Sequence, residues 1–207
     1  MEFTASETAQ KDFWKLITGS IVPRPIAWVS TINEEGKPNL APFSFFNAVC
    51  AKPPTLLFTS NLRGTDGNQK DTLNNIKTNN EFVVNIVSKK LLEAMNQSAT
   101  EYPSSVNEFQ IAGVTPGASK IVNPPRVAES PVSIECKLSQ IVKIGDGGVG
   151  SGSIVIGEIL HVSIADEVLL PNHKINITAL DPVSRLSGPN YGVIGEIIEL
   201  NRFPPKL

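Results

Sequence analysis

The sequence is short of the residues from which many sites are built. Its 207 residues include two cysteines, Cys50 and Cys136, and two histidines, His161 and His173. No CxxC pair exists and the histidines fall on separate segments, so a zinc site of the usual spacing cannot be assembled. No Ser/His/Asp or Cys/His set can be argued either. No apolar run reaches the roughly 18 residues that a membrane helix requires. Charge of neither sign dominates: 18 Lys+Arg against 20 Asp+Glu leave −2, which denies the chain the basic field that nucleic acid selects. The opening Met1-Glu2-Phe3-Thr4 is acidic, unlike the basic-then-apolar start of a signal peptide. A soluble, cytoplasmic protein is expected, with no metal and no nucleic-acid or membrane partner.

What is present describes one mainly β domain. The chain is 41% hydrophobic, enough at this length for a single core without disulfides. No repeat or linker divides it, so residues 1–207 are expected to form one domain. Fifteen glycines and sixteen prolines belong to a turn-rich chain rather than a helical bundle. Stretches rich in β-formers predict strands at 25–31, 39–47, 55–60, 82–88, 132–144 and 153–165. Pro42 inside the second marks an edge, a bulge or a face turned to a ligand. Short helices are expected after the Thr4-x-x-Glu7 capping box, at 71–79, and at 89–99 with Ser88 as N-cap. Residues 102–131 read as irregular. Six strands, few helices and a long hairpin predict an antiparallel barrel.

Several constellations carry chemistry. Gly145-x-Gly147-x-x-Gly150 has the dinucleotide spacing and follows a strand, but the fingerprint needs a helix next and Ser153-Ile154-Val155-Ile156 is strand. It is read as a hairpin loop. Lys70-Asp71-Thr72 opens a helix after a glycine-containing turn; it is either a phosphate cradle or a capped helix start beside a solvated lysine. The segment from Asn39 through Ala41, Pro42 and Ser44 to Asn47 combines proline, aromatics and small polar residues. It can present a flat face to a ligand, or simply put Phe43 and Phe45 into the core. Arg24, held extended by Pro25, suits an anion or is a surface arginine. Arg185 and Tyr191, on a C-terminal turn, either finish a binding site or lie on a solvated loop. His161 is read as structural.

Taken together these residues resemble the flavin-reductase-like family of FMN-binding split-barrel proteins. The resemblance rests on residues 19–31, 39–46, Lys70-Asp71-Thr72 with Asn75-Ile76, and 81–85. It continues through Asn107-Glu108-Phe109-x-x-Ala112-Gly113, Glu129-Ser130-Pro131, Glu135-Cys136 and Gly157-Glu158. It implies a six-stranded, Greek-key type split β-barrel with short peripheral helices, dimerising around an FMN groove. By this resemblance Lys70 and Thr72 bind the FMN phosphate at the start of the Asp71 helix, with Ser60 and Arg24 nearby. Asn39, Ala41, Pro42 and Ser44 lie along the flavin ring, and Arg185 and Tyr191 approach it. Ser187-Gly188 stands where the family commonly has Gly-Gly. Chemistry then belongs to the cofactor, with NAD(P)H as hydride donor to flavin N5 and no catalytic side chain required. Two functions are implied: an NAD(P)H-dependent flavin oxidoreductase of the kind that serves a two-component monooxygenase, or a flavoredoxin-like electron-transfer protein reduced by a protein donor. A barrel that binds some other ligand without flavin is the third.

Overall fold

Alternating apolar residues build the main sheet, and the computed structural model describes them within residues 1–203; positions 204–207 of the expected domain lie outside the described residues. Helix α1 (Gln10–Ser20) leads into β1 (Arg24–Pro25), β2 (Ala27–Ile32), β3 (Pro38–Phe43), β4 (Phe46–Ala51) and β5 (Pro54–Asn61). Then come α2 (Asp71–Asn79), β6 (Glu81–Ile86), α3 (Leu92–Gln97) and α4 (Glu108–Ala112). Two-residue strands β7 (Pro116–Gly117) and β8 (Arg126–Val127) precede the long pair β9 (Val132–Ile144) and β10 (Gly152–Ile164). The chain closes with β11 (Leu169–Leu170), β12 (Lys174–Ile175), α5 (Ile177–Leu180), β13 (Val183–Arg185) and β14 (Tyr191–Val193).

The principal sheet is antiparallel, in the order β3-β2-β6-β9-β10-β5-β4. Its two edge strands are consecutive in the chain, joined only by Ser44 and Phe45. In a flat seven-stranded sheet the edges would stand about 29 Å apart, yet the step from Phe43 to Phe46 reaches only about 11 Å. The sheet must therefore curl to bring the linked ends of its edge strands together, although β3 and β4 do not pair along their length. The sequence predicts six strands; the structure has seven in this sheet because the stretch 39–47 bends at Ser44-Phe45 and serves both edges. Pro42 hints at an irregularity, but nothing in the sequence places the corner two residues later. Pro42 does sit on an edge strand, opposite Trp28.

Strand β2 separates two cores and is buried on both faces, which explains why its sequence is a continuous apolar run rather than an alternation. Ala27 and Val29 face an interior filled by Phe43, Phe58, Phe82 and Val155 and capped by Leu73 and Ile76 of α2. Trp28 faces the opposite cluster with Met95 of α3 and Phe109 of α4, its indole Nε1 donating to Ser98 Oγ at 2.8 Å. Asn85, fully buried, ties three strands to the 126–127 segment. Its amide donates to the Trp28 carbonyl at 3.0 Å and its oxygen accepts from Val127 N at 2.8 Å and Ser133 Oγ at 2.9 Å.

Three local expectations are corrected. The Thr4-Glu7 capping box does not form: residues 4–8 close on the Thr4 carbonyl as a turn, and α1 starts later, behind Ala9. The helix expected at 89–99 is a 3₁₀ turn at Lys89–Leu91 followed by α3, ending at Gln97. Ser88 is drawn into a bridge with Pro182, and its buried hydroxyl caps nothing. The stretch 102–131 holds a helix, α4, whose N-cap Asn107 accepts from Phe109 N at 3.1 Å.

Candidate flavin groove

The bend at Ser44 aligns two small cavities along β3. The first, about 30 Å³, is lined by Asn39, Ala41, Pro42, Lys70, Asp71, Thr72 and the 98–102 segment. The second, about 110 Å³, is lined by Ile26, Pro42, Ser44, Met95, Ala99, Arg185 and Tyr191. Pro42 and Ala99 belong to both, so the two form one groove. Nine of the eleven residues expected to bind the cofactor lie along it, all but Arg24 and Ser60. Two larger cavities lie elsewhere. One of them, about 490 Å³, borders the Gly145–Gly152 loop, which runs from β9 straight into β10 and leads into no helix.

At the first end the electrostatics are unbalanced. Lys70 precedes α2, and its ammonium sits 5.8 Å over the Phe43 ring. The nearest carboxylate, Glu101, stands 3.9 Å away, and the lysine is only 26% exposed. Burial pushes the ammonium below the usual lysine range; Glu101 pulls part of the way back and Arg63 adds to the push. Asp71 is not the helix cap. It pairs with Arg63 at 2.7 Å. The cation that remains without a close partner is Lys70, and it lines the cavity.

Thr72 holds the groove's frame. Its buried hydroxyl donates to Asn39 Oδ1 at 2.8 Å. The Asn39 amide nitrogen donates to Glu108 Oε1 at 3.0 Å, and Glu108 also accepts from Leu40 N. Burial raises the Glu108 carboxyl, against the backbone and Asn39 donors that lower it. This network locks the edge strand to α2 and α4. Ser60 lies off the first cavity, on the inward face of β5 with Leu56 and Phe58, and its buried hydroxyl has no partner.

At the other end, Arg24 and Arg185 are opposite one another in the β1–β13 pair. Arg24 lines neither cavity. Its guanidinium donates to the Thr18, Ile21 and Leu186 carbonyls, so it fastens the end of α1 to the C-terminal loop. Arg185 reaches the groove, stacking 4.8 Å from the Tyr191 ring and donating to its hydroxyl at 2.7 Å, while that hydroxyl donates to Asn96 Oδ1. Sequence reasoning missed Arg63, Glu101 and the role of Glu108. The first two carry no local signal, and Glu108 stood in a quoted motif without an assigned partner.

A curled antiparallel sheet with a small, cation-lined cavity at one end of an edge groove fits a split-barrel flavoprotein. The chain belongs to the flavin reductase-like family: the pattern described as "Flavin reductase like domain" matches residues 19–179. It is 34% identical to nitrilotriacetate monooxygenase component B from Bacillus cereus, covering 97% of this chain and 98% of that one with a TM-score of 0.91. It is 30% identical to the 2-nitrobenzoate 2-nitroreductase NbaA of Pseudomonas fluorescens, over 100% and 99% of the two chains, TM-score 0.88. A putative flavin reductase with split barrel domain from Shewanella frigidimarina shares the fold at 22% identity, over 98% and 99%, TM-score 0.83.

Proposed function

We propose that this protein binds FMN in the groove along β3 and works as an NAD(P)H-dependent flavin oxidoreductase. The observation that carries the reading is Lys70: a half-buried ammonium on a cavity, whose nearest carboxylate, Glu101, stands 3.9 Å away. Such a cation favours a bound anion. Lys70, with the backbone at the start of α2, would hold the phosphate. Asp71 keeps Arg63 in place, and Thr72 keeps Asn39 oriented. Asn39, Ala41, Pro42 and Ser44 would flank the ring, with Arg185 and Tyr191 walling its far end. FMN, when bound, supplies the redox chemistry, accepting hydride from the nicotinamide at N5 and releasing electrons to an acceptor. The cation of Arg185 then favours the added negative charge, and no acid or base need be supplied by the chain.

The likeness to a monooxygenase component supports a role as the reductase partner of such an enzyme. A cytoplasmic homodimer of one-domain chains completes the proposal. It is tested by anaerobic absorbance spectra of the FMN-loaded protein with NADH, then NADPH. Bleaching by either nucleotide is expected. Bands that persist with both but vanish with dithionite would replace the reductase with an electron carrier. Lys70→Ala should weaken FMN binding by roughly ten- to a hundredfold, the worth of a charge-assisted contact; unchanged affinity would remove the phosphate from this cavity.

A further inference from the structure

We propose that Glu101 sets the length of flavin this groove accepts, admitting FMN and excluding FAD by closing the groove beyond the phosphate. The inference rests on the reading of the Lys70 cavity as the phosphate site. FMN ends there in a phosphomonoester, whereas FAD must continue through a second phosphate to an adenosine. The cavity is about 30 Å³, room for only two or three water-sized groups at the ~10–15 Å³ each needs.

What bounds the cavity is a clasp between two segments distant in sequence. The Glu101 carboxylate accepts from Gly64 N at 3.1 Å, from Thr65 N at 3.2 Å and from Thr65 Oγ1 at 2.7 Å. Alongside it Arg63 bridges Asp71, at 2.7 Å, and the Tyr102 carbonyl, at 3.4 Å. The loop 62–69 is thus pinned across the end of the groove at two neighbouring points. Its remaining bonds are mostly internal, such as Arg63 N to the Asn68 carbonyl and Gly67 N to the Arg63 carbonyl. Gly64 and Thr65 are themselves exposed, so the tip of the loop depends on Glu101, while the Arg63–Asp71 pair and the bond from Leu62 N to the Ser151 carbonyl hold its base. Passing an adenosine through would break these bonds to a carboxylate. It would also bring a second phosphate against that carboxylate, which already stands 3.9 Å from Lys70. Steric closure and like charge therefore act together against the longer flavin.

The test is a pair of dissociation constants, FMN and FAD, measured by flavin-fluorescence quenching on the wild type, Glu101→Ala and Glu101→Gln. The wild type should bind FMN at least about tenfold more tightly than FAD, the worth of one charge-assisted bond. Glu101→Ala should bring the ratio towards one, chiefly by tightening FAD. Glu101→Gln, which removes the charge but keeps an acceptor, should move it part of the way. If Glu101→Ala does not fold, Thr65→Ala should lower the ratio in the same direction by a smaller factor. Equal affinities in the wild type, or a ratio unmoved in a folded Glu101→Ala, would overturn the role of Glu101. An FMN affinity untouched by Lys70→Ala would instead overturn the phosphate site itself, so the two failures are distinguishable.

Discussion

Glu135 shows how this chain affords a buried charge. Its carboxylate, on β9 and 1% exposed, accepts from three successive backbone N–H groups, Lys120 at 2.7 Å, Ile121 at 2.6 Å and Val122 at 3.1 Å. Burial alone would raise the carboxyl, but these donors, with His161 nearby, hold it below the usual range. Because the folded value is depressed, the stability from Glu135 is fully present above the unfolded carboxyl's pKa of about 4.3 and is lost as pH falls through the lower folded value. Glu135→Gln should cost about 1–3 kcal/mol at pH 7. Urea midpoints taken down to pH 3 should show the gap between variant and wild type closing; a constant gap would mean that the charge contributes nothing. None of this could be read in advance, since the donors and the acceptor meet only after β9 has been placed.

At the scale of elements, Gly157 decides how β10 meets the core. A methyl group there would come within 2.4 Å of Phe82 Cζ and 2.9 Å of Cε1, and Phe82 is fully buried against Phe58. A glycine-to-alanine change inside a strand ordinarily stabilises by limiting the unfolded chain, but here crowding should win, at about 1–3 kcal/mol. Thermal unfolding should place Gly157→Ala below the wild type. The double variant with Phe82→Leu should lose less than the two single losses added together; strict additivity would exonerate the contact. The strands themselves were legible, because β-branched and aromatic runs bounded by glycine and proline announce them. Pairings of two or three residues, such as β1 with β13, were not. So short a ladder is decided by what packs around it, not by its own residues.

For the whole molecule, the proposed homodimer makes the most immediate prediction. Beyond β14 the chain exposes Ile197, Ile198, Leu200 and Phe203, the last two at 86% and 96%. Apolar side chains this exposed in one segment call for a covering surface. Light scattering should give a mass near twice the 22.3 kDa of one chain, and truncation after Gly195 should shift it towards the monomer; a monomer in the intact chain would remove the dimer from the proposal. The family and its mainly β fold were foreseeable because separated motifs fall in order along the chain. The partners of Asn39 and Lys70 were not, since they come from residues some 30 to 70 positions away.

The groove is also assembled in a definite order of manufacture. Every residue lining the Lys70 cavity, from Asn39 to Glu108, leaves the ribosome before Arg185 or Tyr191 of the second cavity has been made. Synthesis runs from the N-terminus, so the proposed grip for the phosphate is delivered first and the proposed wall for the ring last. A nascent chain arrested between the two would own the anchor without the seat.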